Sequence, residues 1–260
     1  MQILVLKLIL TPLLTGAATW AGRKYGHNVS GLLIGLPLNA GPIALFLALQ
    51  HGDVFAAESA KGIIFGAVSL ALYAITYAAL SKKFNLLVCV AASWITYFAA
   101  TLFFNLFDFN LLITFLLSAV GLSALLLLFP DYEEGALTIK PPLWDIPLRI
   151  VLATLFIIGL TYISGNLGPR LSGLLSTFPI FGTIFATTTH YLYGSDACIR
   201  LLKGVIISLF SFTVFFVVIA NYVLSLSIVQ TFLLATLICL IAQVCILYAF
   251  KMVKRYRASL

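Results

Sequence analysis

Two short stretches of this chain place helix-breaking residues beside hydrogen-bonding ones. The first reads Gly31-Leu-Leu-Ile-Gly35-Leu-Pro37-Leu-Asn39-Ala-Gly41-Pro42, with Gln50 and His51 following. The second reads Gly173-Leu-Leu-Ser-Thr177-Phe-Pro179-Ile-Phe-Gly182-Thr183, with Thr187, Thr188, Thr189 and His190 following. A proline inside a helix has no amide hydrogen and clashes with the carbonyl four residues back. In apolar surroundings the backbone groups freed in this way need partners from a neighbouring helix, water or a solute. The chemistry within reach is therefore recognition by hydrogen bonding. Pro37, Asn39, Gly41, Pro42, Pro179, Gly182, Thr183 and Thr187 are the candidate substrate-binding residues. Bond-making chemistry has no comparable support. There is no His-Glu-x-x-His or Gly-x-Ser-x-Gly pattern, and no acid or metal partner for the intramembrane Ser and His. No catalytic residue, metal site or cofactor is expected.

Each feature also has a plainer reading. Proline kinks shape packing in many membrane helices, and Gly31, Gly35, Gly173 and Gly182 suit close helix contact. Threonine hydroxyls often bond back to their own helix. His190 has the chemistry of a proton carrier, but Gly194 is close behind it, so a hydrogen-bonded interfacial histidine is the better account. The binding reading is preferred for the two breaks because they are symmetric and have polar company.

The elements that must hold these residues are membrane helices. Hydrophobic residues make up 62% of the 260 and charged residues 9%, against roughly 25% charged in soluble domains. Charge-free runs are long enough to span a bilayer as helices, and alternation is too weak for a β-barrel. Nine spans are expected near 3–20, 29–51, 62–80, 86–107, 111–129, 148–165, 171–193, 204–224 and 228–250. The expected fold is all-α and polytopic, with a first membrane repeat at 1–129, a cytoplasmic connection at 130–147, and a second repeat with a basic tail at 148–260. Cys89, Cys198, Cys239 and Cys245 have no metal-ligand or redox spacing and read as small apolar residues.

The word repeat rests on an offset of 142 residues. Residues 29–62 and 171–204 share 9 identities in 34 ungapped positions, including Pro37 with Pro179, Gly52 with Gly194, and Lys61-Gly62 with Lys203-Gly204. Internal repeats in membrane proteins often mark transporters, with the site where both copies are interrupted. The basic residues divide 12 to 3 between the two sides of a nine-span chain. Lys82, Lys140, Arg149, Arg200, Lys203 and the tail fall on the crowded side, and Lys7, Lys61 and Arg170 on the other. The positive-inside rule then puts the C-terminus in the cytoplasm and the N-terminus outside. Because spans 2 and 7 are an odd number apart, the copies cross in opposite directions: an inverted-topology repeat of five plus four helices. The net charge of +7 is a topology signal and does not imply nucleic-acid binding. Lys61 and Lys203 are candidate gate or anion-contact positions, although snorkelling anchors are the favoured account of them.

The run Leu171-Ser-Gly173-Leu-Leu-Ser-Thr-Phe-Pro179, followed by Thr189-His190-Tyr191-Leu192 and a Gly-Ser-Asp turn, resembles the GlpM-like small bacterial inner-membrane proteins. The resemblance covers 148–250 directly and the first half through the internal repeat. It implies a tandem inverted duplication, a bacterial inner-membrane location and a connection to envelope polysaccharide production. It names no substrate. Two functions are therefore expected in competition. One is a secondary transporter or facilitator for a small neutral or anionic solute. The other is a non-transporting scaffold or accessory subunit, with the bilayer and a second copy or an envelope complex as its partners.

Overall fold

A computed structural model describes residues 40–132 and 144–258, together with Ile9, Leu13, Gly16, Trp20, Leu32 and residues 36–38. The described residues form eight extended α-helices: α1 (Ala40–His51), α2 (Asp53–Leu80), α3 (Leu86–Asn105), α4 (Leu111–Leu127), α5 (Asp145–Ser176), α6 (Ile180–Tyr193), α7 (Ser195–Tyr222) and α8 (Ile228–Ala258). Four are long and apolar enough to cross a membrane: α2, α3, α7 and the Ile228–Ala249 part of α8. At 1.5 Å per residue, the 28 residues of α2 span about 42 Å, against about 30 Å of bilayer hydrocarbon.

α2 and α7 form the core. Their buried residues are mostly small on α2 (Ala56, Ala60, Ala67, Ala71, Ala74) and large on α7 (Ile206, Leu209, Phe212, Phe216), so the two surfaces interdigitate. They run antiparallel, because Lys82, just past the end of α2, pairs with Asp196 in the first turn of α7 at 2.9 Å. α3 and α8 lie outside them. Leu87, Ile95 and Leu102 on α3, and Val229, Leu233 and Val244 on α8, are exposed. Apolar helix faces of this extent imply contact with a lipid bilayer.

Several expected boundaries differ from those observed. α2 and α7 begin at Asp53 and Ser195 rather than near 62 and 204, because their first turns carry the charged residues that hydropathy places outside a span. Asp53 and Ser195 are not N-caps. Gly52 and Gly194 take that place, with φ of 86° and 85° and no side-chain cap bond. Each is a single-residue joint between two helices, a backbone conformation glycine adopts without steric cost. The expected gap between spans 148–165 and 171–193 is where Gly168 (φ 76°) interrupts α5 before Pro169, but the second of these spans is itself divided, α5 ending at Ser176 and α6 starting at Ile180. Most of the expected span at 3–20, residues 29–31, 33–35 and 39 of the span at 29–51, and 133–143 of the connection lie outside the described residues. Elsewhere the caps follow the sequence: Asn85 and Asn110 each accept an amide proton three residues on, at 3.0 and 2.9 Å.

The offset of 142 reappears in the helix bounds. Asp53 and Ser195, Leu80 and Tyr222, and Leu86 and Ile228 are all that far apart. So are the turn hydrogen bonds Leu38 N to Leu36 O and Ile180 N to Phe178 O, at 2.7 and 2.8 Å. So too are Gly41 N to Pro37 O and Thr183 N to Pro179 O, at 2.8 and 2.7 Å.

Backbone contact joins α2 to the last turns of α5. A Cβ added at Gly62 would press on the Arg170 carbonyl, one at Gly66 on the Thr177 hydroxyl, and one at Gly173 on the Ser59 carbonyl. Relieving such overlap requires the helices to move apart. Gly173→Ala is expected to cost about 1–3 kcal/mol in unfolding measured in bicelles. Gly159→Ala, where nothing lies within 4 Å, should instead gain about 0.5–1 kcal/mol. Equal effects would mean that the α2–α5 contact is not close.

Candidate functional site

The second break is built by its own backbone. The Ile180 amide turns back to Phe178 O at 2.8 Å instead of closing a helical turn, and Pro179 offers no amide. Helix α6 restarts when Thr183 N bonds Pro179 O. Above the break, the Thr177 hydroxyl donates to Leu174 O at 2.7 Å, as Tyr97 OH does at 2.9 Å, and the two hydroxyls lie 3.0 Å apart. Two hydroxyls, one from α3 and one at the end of α5, thus meet at one carbonyl near the break.

Below it, Thr183 is the centre of a second cluster. Its hydroxyl oxygen accepts from Tyr73 OH at 3.1 Å and from Trp94 Nε1 at 3.0 Å. Tyr73 is fully buried on α2, and Trp94 stands on the partly exposed face of α3. One turn further along α2, Tyr77 OH lies 3.4 Å from His190 Nδ1. Buried tyrosine and tryptophan usually place their polar tips on a partner, and here the partners all belong to the segment from Leu174 to His190.

The first break comes to the same place. Leu36 and Ala40 from it, and Ser176, Thr177, Pro179 and Gly182 from the second, border one cavity of about 40 Å³, closed by Tyr73 and by Phe212 of α7. That volume holds water-sized occupants and little more. No described residue bordering it is charged.

The candidates named from sequence divide between two locations. Pro179 and Gly182 border the cavity, and Thr183 is tied to Tyr73 and Trp94 beside it. Pro37, Gly41 and Pro42 border a separate apolar groove against α8. Asn39 lies outside the described residues. The Thr187 hydroxyl bonds back to Thr183 O at 2.7 Å and to Ile184 O at 3.2 Å. Lys61 pairs with Glu58 at 2.7 Å. Lys203 lies 5.3 Å from the centre of the Tyr132 ring, which Arg200 also approaches. Sequence reasoning missed Tyr73, Tyr77, Trp94 and Tyr97. The available signal was the i, i+4 placement of Tyr73 and Tyr77 and the depth of Trp94 and Tyr97 in otherwise apolar spans, away from the interfaces where aromatic belts lie. Among the described residues no group of His, Cys, Asp and Glu is placed to hold a metal ion.

No protein-family model, curated protein or solved structure matches this chain.

The Tyr73–Thr183 bond is testable by a double-mutant cycle. Tyr73→Phe and Thr183→Val should each destabilise the protein, with a coupling energy of about 0.5–1.5 kcal/mol in reversible unfolding. Zero coupling would show that the two hydroxyls do not bond. Trp94→Phe should couple to Thr183→Val in the same way.

Proposed function

We propose that this chain is a multi-pass protein of the bacterial inner membrane that moves a small solute by alternating access, at a site between its two broken helices. The observation that carries the reading is the shared cavity: segments 142 residues apart, each interrupted at a proline, border the same space. In secondary transporters, paired discontinuous helices supply the groups that bind substrate near mid-bilayer.

The two halves are inverted copies in this proposal. Support comes from the matched helix bounds and from the antiparallel run of α2 and α7, the helices that correspond under the offset. The charged ends agree with the expected topology. Lys82, Asp131, Tyr132, Asp196, Arg200 and Lys203 gather at one end. Arg170 meets Asp108 and the Phe104 carbonyl apart from them. Under the positive-inside rule the first group is cytoplasmic, the C-terminus with it, and the N-terminus is outside.

The solute class follows from the lining. Hydroxyl and backbone groups without a charge suit a neutral molecule with hydrogen-bonding groups better than an anion, because Lys61 and Lys203 are held elsewhere. Buried polar atoms without a partner also occur on these helices, at Ser69 Oγ on α2, Thr101 Oγ1 on α3 and Gln243 Nε2 on α8, although none of these residues borders the cavity. Thr101 and Gln243 correspond under the offset. Each is a site where water or solute would be welcome, since an unpaired buried polar group is costly. The small cavity fits an occluded state. It also favours the second reading, a densely packed scaffold or accessory subunit of the kind the GlpM-like resemblance implies.

Single cysteines at Asn39 and Thr183, in a chain lacking the four native cysteines, separate the two readings. Transport requires labelling of these positions by membrane-impermeant thiol reagents from each side in turn, and protection by a solute. If neither position labels from either side, the centre is dry and the scaffold reading replaces transport.

A further inference from the structure

The first break borders a groove of about 460 Å³, far larger than the cavity between the breaks. Pro37, Gly41 and Pro42 form one wall, Phe215 the floor, and Leu233, Thr236 and Leu240 of α8 the other wall. Val229, Leu233 and Leu240 are 66%, 66% and 53% exposed, so the groove opens sideways on the outward apolar face of α8 rather than toward an aqueous end. No described residue lining it is charged.

The same place in the other half is filled. At an offset of 142, Thr236 corresponds to Trp94, Cys239 to Tyr97, Leu240 to Phe98 and Leu36 to Phe178. There the rings of Trp94, Tyr97 and Phe98 all stand over Phe178, with centroids 5.5, 5.5 and 5.4 Å away, and Phe156 closes the stack at 5.7 Å. The polar tips are satisfied too, by Thr183, Thr177 and the Leu174 carbonyl. In the first half Gly41 replaces Thr183 and Phe215 replaces Tyr73, so neither hydroxyl of that pair is present. The groove therefore lacks both the rings and the polar contacts of its counterpart. What remains is a slot with an apolar lining.

We infer that this groove is a binding site for one acyl chain of a bilayer phospholipid. The chain takes the place that Trp94, Tyr97 and Phe98 occupy in the other half. Three observations select this occupant. The opening is lateral and bordered by exposed apolar side chains, where the surrounding medium is hydrocarbon. The lining is nearly free of polar groups, and so offers little of the interhelical hydrogen bonding that supports association of a partner helix in a bilayer. An empty slot of this volume beside lipid would forfeit dispersion contacts along its whole lining. The site does not depend on transport, because neither its lining nor its occupant involves the cavity between the breaks.

The test is photocrosslinking of the full chain in phosphatidylcholine vesicles containing a phospholipid with a diazirine on its acyl chain, followed by peptide mapping. Adducts are expected to concentrate on residues 36–45 and 229–240. They should fall about tenfold in Thr236→Trp, which installs the residue present at the corresponding position. Leu237→Trp, on the neighbouring outward face, should leave them unchanged. Leu240→Phe is the milder substitution and should lower labelling in the same direction should the tryptophan variant fold poorly. Adducts spread evenly over the exposed faces of α3 and α8, or insensitive to both filling substitutions, would overturn the inference. Crosslinks between copies at these positions, or preferential capture of a free fatty-acid probe, would overturn it as well by assigning the groove to another occupant.

Discussion

Close backbone approach between α2 and the end of α5 is the constraint on which the rest of the arrangement depends. Within a bilayer, helices gain little from hiding apolar surface from one another, so association relies on tight contact and on polar groups that meet. Gly62, Gly66 and Gly173 allow α2 to lie directly on residues 170–177. That contact fixes where α5 stops and therefore where the break falls. It also fixes the distance from α2 to the restarted helix α6, which is the distance the Tyr73 and Tyr77 side chains bridge. A slightly wider separation would leave these hydroxyls buried without partners, which costs more than the bonds themselves contribute. Glycine packing and tyrosine bonding are thus two parts of one fit.

The two halves treat the same architecture differently. Both turn at a proline with the same short hydrogen bonds, and both restart a helix at the same spacing. In the second half, aromatic side chains with polar tips close the turn against α3. In the first half, mostly smaller and apolar residues leave an open flank against α8. The divergence is concentrated in side chains along one stripe of the outer helices, while the backbone plan is retained.

How much of this was legible in the sequence depends on the range of the interaction. The helical class, the two breaks and the glycine joints are local matters of hydropathy, proline and glycine, and their positions could be read directly. Helix limits at Asp53 and Ser195 could not, because hydropathy measures residence in lipid whereas a helix continues into the interface as long as its backbone is bonded. The interruption at Gly168 lies in the interval left between two expected spans, because glycine before proline is a local signal, whereas the second interruption, inside 171–193, reads from sequence only as a broken helix. The partners of Thr183 were illegible for another reason. Tyr73 and Trp94 are 110 and 89 residues away from it, and nothing in a tyrosine within an apolar run states which hydroxyl it will meet. Thr187 shows the converse: its bonds are to carbonyls in its own helix, the outcome that local chemistry favours for threonine.

The contact between α2 and α5 also bears on how the chain is made. α2 belongs to the first part of the polypeptide, whereas the surface that Gly62 and Gly66 are shaped to receive is synthesised only after α3, α4 and the connection to α5. Until then its glycine face and the hydroxyls of Tyr73 and Tyr77 stand before lipid without their final partners. The later segment supplies both the central packing of α2 and the partners of its polar cluster, so neither half contains all the contacts of its own central helix.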